Sequence, residues 1–120
     1  MTTILVVDDY PVIGRMLGLQ LRRQGYEVVT ALDGEEALAR LDETPVDLVI
    51  TDLAMPGMDG MALLRHLRAG ERFRALPVIM LTASGMSESA RAALAEGASD
   101  FLNKPVSSHE LYEAVGRLLG

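Results

Sequence analysis

The chain has 120 residues, the length of one domain, and long enough to bury a core without staples. Its 17 acidic and 11 basic residues give a net charge of −6, which excludes a basic footprint for nucleic acid or an anionic membrane surface. It contains 0 Cys, which excludes a disulfide framework and a thiolate metal site, and its apolar runs, such as residues 78–81, fall far short of a bilayer span.

The elements follow in chain order. Residues 3–7 form a short apolar, β-branched run that ends at Asp8-Asp9 and reads as a buried strand. Pro11 suits the first turn of a helix, with Asp9 placed to cap it. Ile13, Met16, Leu17 and Leu21 then follow helical spacing up to a left-handed C-cap at Gly25. A second strand covers 27–30. Asp33 and Glu36 have capping-box spacing ahead of a weaker helix carrying Ala37, Leu38 and Leu41. A third strand, 47–51, runs into Asp52, and Asp59-Gly60 opens a helix with Leu64 and Leu67 on one face. The fourth strand, 77–82, ends at Thr82, and Ala90, Ala93 and Leu94 mark the next helix, closed by Gly97. A fifth strand, 99–102, leads to Lys104-Pro105, and Ser107 with Glu110 starts a last helix carrying Leu111, Val115 and Leu118. Strands that alternate with helices call for an α/β fold: a parallel sheet covered on both faces. Right-handed crossovers leave only a few doubly wound arrangements.

Such sheets bind ligands outside the carboxyl ends of their strands. Polar residues collect at those ends: Asp8 and Asp9, Asp52, Thr82 and Lys104. Taken singly, an aspartate suits a cap, Thr82 suits a strand and Lys104 suits solvent. Together they form one chemical set. Grouped carboxylates repel one another unless a hard divalent cation relieves them, and Mg²⁺ takes such oxygen ligands. A carboxylate at such a site can attack phosphorus and form an aspartyl phosphate. Phosphoryl transfer then needs charge stabilisation on the equatorial oxygens, which an ammonium and a hydroxyl supply. Of the 11 basic residues ten are Arg, so the single Lys stands where a point charge is wanted.

Six stretches carry a family resemblance: 4–9 (ILVVDD), 31–38 (ALDGEEAL), 47–52 (DLVITD), 55–60 (MPGMDG), 77–83 (PVIMLTA) and 97–105 (GASDFLNKP). In this order and spacing the chain resembles, over essentially its full length, the receiver domain of bacterial two-component response regulators. The resemblance implies a flavodoxin-like (βα)5 sandwich with strand order 2-1-3-4-5 and a single cytoplasmic domain over residues 1–120. It implies that Asp52 accepts the phosphoryl group from a histidine kinase or phosphotransfer protein. Asp9 and Asp52 would ligate Mg²⁺ directly, Asp8 would help through water, and the Ala54 carbonyl would complete the protein ligands. Lys104 would contact the phosphoryl group, and its bond to Pro105 would be cis. Thr82 would swing to a phosphoryl oxygen, with Phe101 moving inward behind it, and the fourth helix, fifth strand and fifth helix would form the output surface. Self-dephosphorylation would follow. Ala54 and Ser84, at two positions that line the phosphate, offer no amide or acid to orient a water.

The family acts as a signalling module rather than an enzyme. Two other readings remain open: a degenerate receiver that binds partners without phosphorylation, and an Mg²⁺-dependent small-molecule phosphatase. The phosphatase would place a second acid two residues after its nucleophile, where this chain has Ala54. If Gly120 is the natural end, the target is another protein; otherwise an output domain follows. His66 and His109 lack metal-ligand spacing. Arg65, Arg68, Arg72 and Arg74 read as a solvated face, Met55, Met58 and Met61 as packing, and Tyr10 as a partly exposed loop residue.

Overall fold

Strands with apolar residues at every position must be covered on both sides. β1 (Thr3–Val7) and β4 (Val78–Thr82) are buried along their whole length. In the computed structural model, which describes residues 1–83 and 87–120, they lie inside one five-stranded parallel sheet in the order β2-β1-β3-β4-β5. The remaining strands are β2 (Glu27–Ala31), β3 (Leu48–Asp52) and β5 (Asp100–Asn103). The helices between them are α1 (Pro11–Arg23), α2 (Gly34–Glu43), α3 (Gly60–Ala69), α4 (Ser87–Ala95) and α5 (Ser108–Leu119). This is the doubly wound, flavodoxin-like order that the resemblance implied.

The strand period of two divides the core. Leu5, Val7, Val49, Val78 and Met80 face α2, α3 and α4, where they pack with Leu41, Leu63, Leu64 and Leu67. Ile4, Val6, Ile50, Ile79 and Leu81 face α1 and α5, where they pack with Leu17, Leu21, Leu111 and Val115. Burying each large aliphatic side chain contributes about 1.5–3 kcal/mol before chain entropy is counted. The loop methionines behave as expected: Met55 is in the first cluster, with Met58 and Met61 packed against it. No helix among the described residues is long and apolar enough to cross a membrane.

Two expected apolar faces are turned. Met16 is 55% exposed and Leu94 is 41% exposed. The buried face of α1 is Gly14, Leu17, Gly18 and Leu21. A Cβ on Gly14 would lie 3.7 Å from Thr30 and one on Gly18 would lie 3.5 Å from Val28, ordinary contact distances, so these glycines face β2. A search for apolar side chains cannot see a face made partly of glycine. In α4, Ala90 and Ala93 carry the contact instead.

The helix ends largely follow the sequence. Pro11 opens α1, and Gly25 (φ +94°) and Gly97 (φ +109°) are left-handed. The N-cap of α1 is Tyr10, however, with no side-chain cap. Asp9 does not cap, and Asp8 accepts the Tyr10 N–H at 2.9 Å. Asp33 caps α2, accepting from the Glu36 N–H at 2.8 Å, while Glu36 reaches back to the Leu32 N–H at 2.6 Å. Asp33→Ala is therefore expected to cost about 1 kcal/mol in chemical denaturation, and Asp33→Asn little. Equal losses in both variants would show that the cap is not the stabilising contact.

Candidate functional site

The sheet register brings the polar strand ends together. β1 and β3 are neighbours with Val7 opposite Thr51, so Asp8 and Asp52 leave adjacent strands side by side. On the other flank Asp52 pairs with Leu81, which puts Thr82 one residue beyond it. Carboxylate oxygens of Asp8, Asp9 and Asp52 lie within 4.8 Å of one another. Lys104, just past β5, ties two of them: its Nζ is 3.0 Å from Asp8 Oδ2 and 3.3 Å from Asp52 Oδ2. The Lys104-Pro105 bond is cis, as the resemblance implied.

Asp8 is buried and fully engaged, with Oδ2 on Lys104 and Oδ1 on the Tyr10 N–H. Asp9 is exposed, and Asp52 lies between these extremes. Burial pushes the Asp52 carboxyl above the usual carboxylate range; the Lys104 charge opposes this, and the Asp8 charge adds to it. For Lys104, burial alone pulls the ammonium down. The Asp8 hydrogen bond and the charges of Asp52 and Asp8 outweigh it, so the group is held above its usual value and stays protonated at neutral pH.

The sign of the pH dependence follows. Because native Asp52 holds its proton more tightly than the unfolded chain does, its contribution to stability is complete below the ordinary aspartate value of 3.8. That contribution is lost as pH rises through the native value. At neutral pH the ionised carboxylate therefore opposes folding in metal-free protein. Asp52→Asn is expected to melt higher than wild type at neutral pH without metal, with the advantage shrinking toward about pH 4. Parallel melting curves across that range would contradict it.

The donor set fits a hard divalent cation. Three carboxylates face one ammonium, every ligand atom is oxygen, and the exposed Asp9 makes no side-chain hydrogen bond among the described residues. Thr82 is 1% exposed, and its hydroxyl donates to Asn103 Oδ1 at 2.9 Å. Phe101, opposite Met80 in the register, is half-buried against the α2–α4 side of the core. Ala54 is exposed, and its backbone favours the charged form of Asp52, against the effect of burial. Ser84 lies outside the described residues.

Two residues of the site escaped the sequence reading. Gly60 is wedged against the backbone of Asp52: its N–H donates to Leu53 O at 3.0 Å, and a Cβ there would overlap the Asp52 carbonyl oxygen. The Asp-Gly pair marked a helix start but not this close approach. Asn103 escaped because its link to Thr82 needs the β4–β5 register. One expected surface residue is also corrected. Arg68 is partly buried rather than free in solvent: it donates to Gly97 O and to Phe73 O, both at 3.0 Å, tying α3 to the turn before β5. His66 and His109 are exposed, and His109 sits 2.8 Å from Glu113 one helical turn on.

The comparisons with known proteins agree with this geometry. The family model for the response regulator receiver domain matches residues 4–116. The transcriptional regulatory protein GlrR of Escherichia coli is 46% identical over 112 residues, covering 93% of this chain and 25% of that regulator. A putative response regulator from Chloroflexus aurantiacus is 40% identical with a TM-score of 0.94, and the match covers 98% of this chain and 97% of that one. The chemotaxis response regulator CheY4 of Vibrio cholerae is 35% identical with a TM-score of 0.91, covering 99% of each chain. The chain spans between a quarter and about half of the length of the first curated relatives it matches. Fold, acidic cluster and similarity coincide: this chain belongs to the response regulator receiver domain family and is homologous to the phospho-accepting regulators of two-component systems.

Proposed function

We propose that residues 1–120 act as one receiver domain in which Asp52 takes a phosphoryl group from a histidine kinase or histidine phosphotransfer protein. The observation that carries this reading is the Lys104 bridge between Asp52 and Asp8 beside an exposed Asp9. Asp52 attacks phosphorus through a carboxylate oxygen, the bond from phosphorus to the donor nitrogen breaks, and the electron pair leaves with that nitrogen. Lys104 neutralises charge on the phosphoryl oxygens, and the Thr82 hydroxyl donates to one of them. Asp9, Asp52 and the Ala54 carbonyl would hold Mg²⁺, with Asp8 behind them. The bound ion offsets carboxylate repulsion and screens charge on the phosphoryl oxygens.

Conversion to the phosphorylated state shifts Thr82 and Phe101 and alters the α4-β5-α5 face, which meets a target protein or a further domain of a longer chain. The donor approaches the mouth of Asp52. Beside it α1 shows an exposed apolar stripe, Val12, Met16 and Leu19, with Tyr10 at its start, which suits a protein surface better than a small molecule. We place the domain in the cytoplasm and assign it signalling, not turnover of small-molecule phosphates, because Ala54 supplies no second acid. Self-dephosphorylation resets the state.

The test is intact-mass analysis after incubation with acetyl phosphate and Mg²⁺. Wild type should gain one phosphoryl group that Asp52→Asn does not. An equal gain in the variant, or none in wild type, would contradict the assignment.

A further inference from the structure

Thr82 is the residue through which the phosphoryl group would be felt, and its hydroxyl is already in use. It donates to Asn103 Oδ1 at 2.9 Å, across a pair that the sheet register places directly opposite each other. The two strands are joined at the same point by the backbone, where the Lys104 N–H donates to Thr82 O at 2.7 Å. The two ends of the side-chain bond sit in different surroundings. Thr82 is 1% exposed, whereas Asn103 is exposed and can turn to water.

A hydroxyl has one proton to donate. Thr82 cannot give it to Asn103 and to a phosphoryl oxygen at once. A buried hydroxyl without a partner is costly, so in the resting protein Asn103 removes a penalty that the phosphoryl group would otherwise relieve. We propose that Asn103 is a positioning residue that acts through Thr82: its carboxamide holds the hydroxyl in the resting arrangement and weakens the phosphorylated one. Lys104 follows Asn103 directly, so release of the carboxamide and engagement of the ammonium occur on one two-residue segment. This inference rests on the phospho-acceptor reading of Asp52 and adds a residue that sets the switch's bias.

The experiment is a beryllofluoride titration with Mg²⁺ present, followed by amide NMR, in wild type, Asn103→Ala, Thr82→Val and the double variant. Asn103 is exposed, so its truncation leaves the core intact. Asn103→Ala should tighten half-saturation by about five-fold, the worth of one ordinary hydrogen bond. In the Thr82→Val background the same truncation should change nothing, because no hydroxyl remains to compete for. The Asn103 side-chain amide signals of wild type should move on beryllofluoride and not on Mg²⁺ alone. A half-saturation unchanged by Asn103→Ala, or the same tightening without the Thr82 hydroxyl, would overturn the proposal while leaving the Asp52 reading intact. A wild type that ignores beryllofluoride would overturn both.

Discussion

Gly60→Ala is expected to destabilise the domain by about 3 kcal/mol, a fall in thermal midpoint of roughly 10 °C, and to impair phosphoryl uptake in the remaining folded protein. The added methyl overlaps the Asp52 carbonyl oxygen and lies 3.0 Å from Leu53 Cα and 3.1 Å from the Asp52 carbonyl carbon. All three neighbours are backbone, so no side chain can turn aside. Either the start of α3 lifts, losing the Gly60 N–H bond to Leu53 O and straining the Asp59 cap on Ala62, or the end of β3 moves and takes Asp52 with it. Gly116→Ala is the matched control, since a Cβ there meets nothing within 4 Å. It should match or slightly exceed wild type, because Ala favours the helix by up to about 1 kcal/mol. Equal melting of Gly60→Ala and wild type would show that the junction of β3 and α3 is looser than this contact requires.

Lys104→Met should cost about 2–4 kcal/mol at neutral pH without metal, and abolish the response to a phosphoryl mimic. The Lys104 ammonium is the side-chain cation on both Asp8 and Asp52, whose side chains are 0% and 13% exposed. Removing it leaves two carboxylates facing each other with one backbone N–H on Asp8 as partial compensation. Two remedies should act. Acid should narrow the gap to wild type by protonating Asp52. Mg²⁺ should raise the variant's melting temperature by more than it raises that of wild type, because it meets uncompensated charge. Melts with and without Mg²⁺ check this, and a variant as stable as wild type without metal would show that the pair contributes nothing.

Much of this was legible in the sequence, for a physical reason. Asp8 follows, and Asp52 and Thr82 end, a short apolar run that reads as buried strand, so their position at the carboxyl edge follows once the sheet is parallel. Lys104 stood out as the only Lys. The misses share a different cause. Met16 faces outward because Gly14 and Gly18, which have no side chain to score, form the contact with β2. Arg68 looked solvated because its partners, Gly97 O and Phe73 O, are backbone atoms that no residue pattern reveals. Asn103 and Gly60 depend on register and on backbone approach to within contact distance, which hydrophobic periodicity does not encode. The Asp8-Asp9 pair looked like a helix cap, yet Tyr10 occupies that place and Asp8 turns toward Lys104.

The most direct measurement is a two-dimensional amide NMR spectrum recorded without metal, with Mg²⁺, and with Mg²⁺ and beryllofluoride, on wild type and Asp52→Asn. The chain has 0 Trp, so the usual fluorescence readout is closed. Wild type should shift near Asp8, Asp9 and Asp52 with Mg²⁺. Beryllofluoride should then shift Thr82, Phe101 and Lys104 and spread along the α4-β5-α5 face, and Asp52→Asn should lack that second step. Mg²⁺ shifts with no beryllofluoride response in wild type, or the same response in Asp52→Asn, would contradict the account of Asp52 as the phospho-accepting switch.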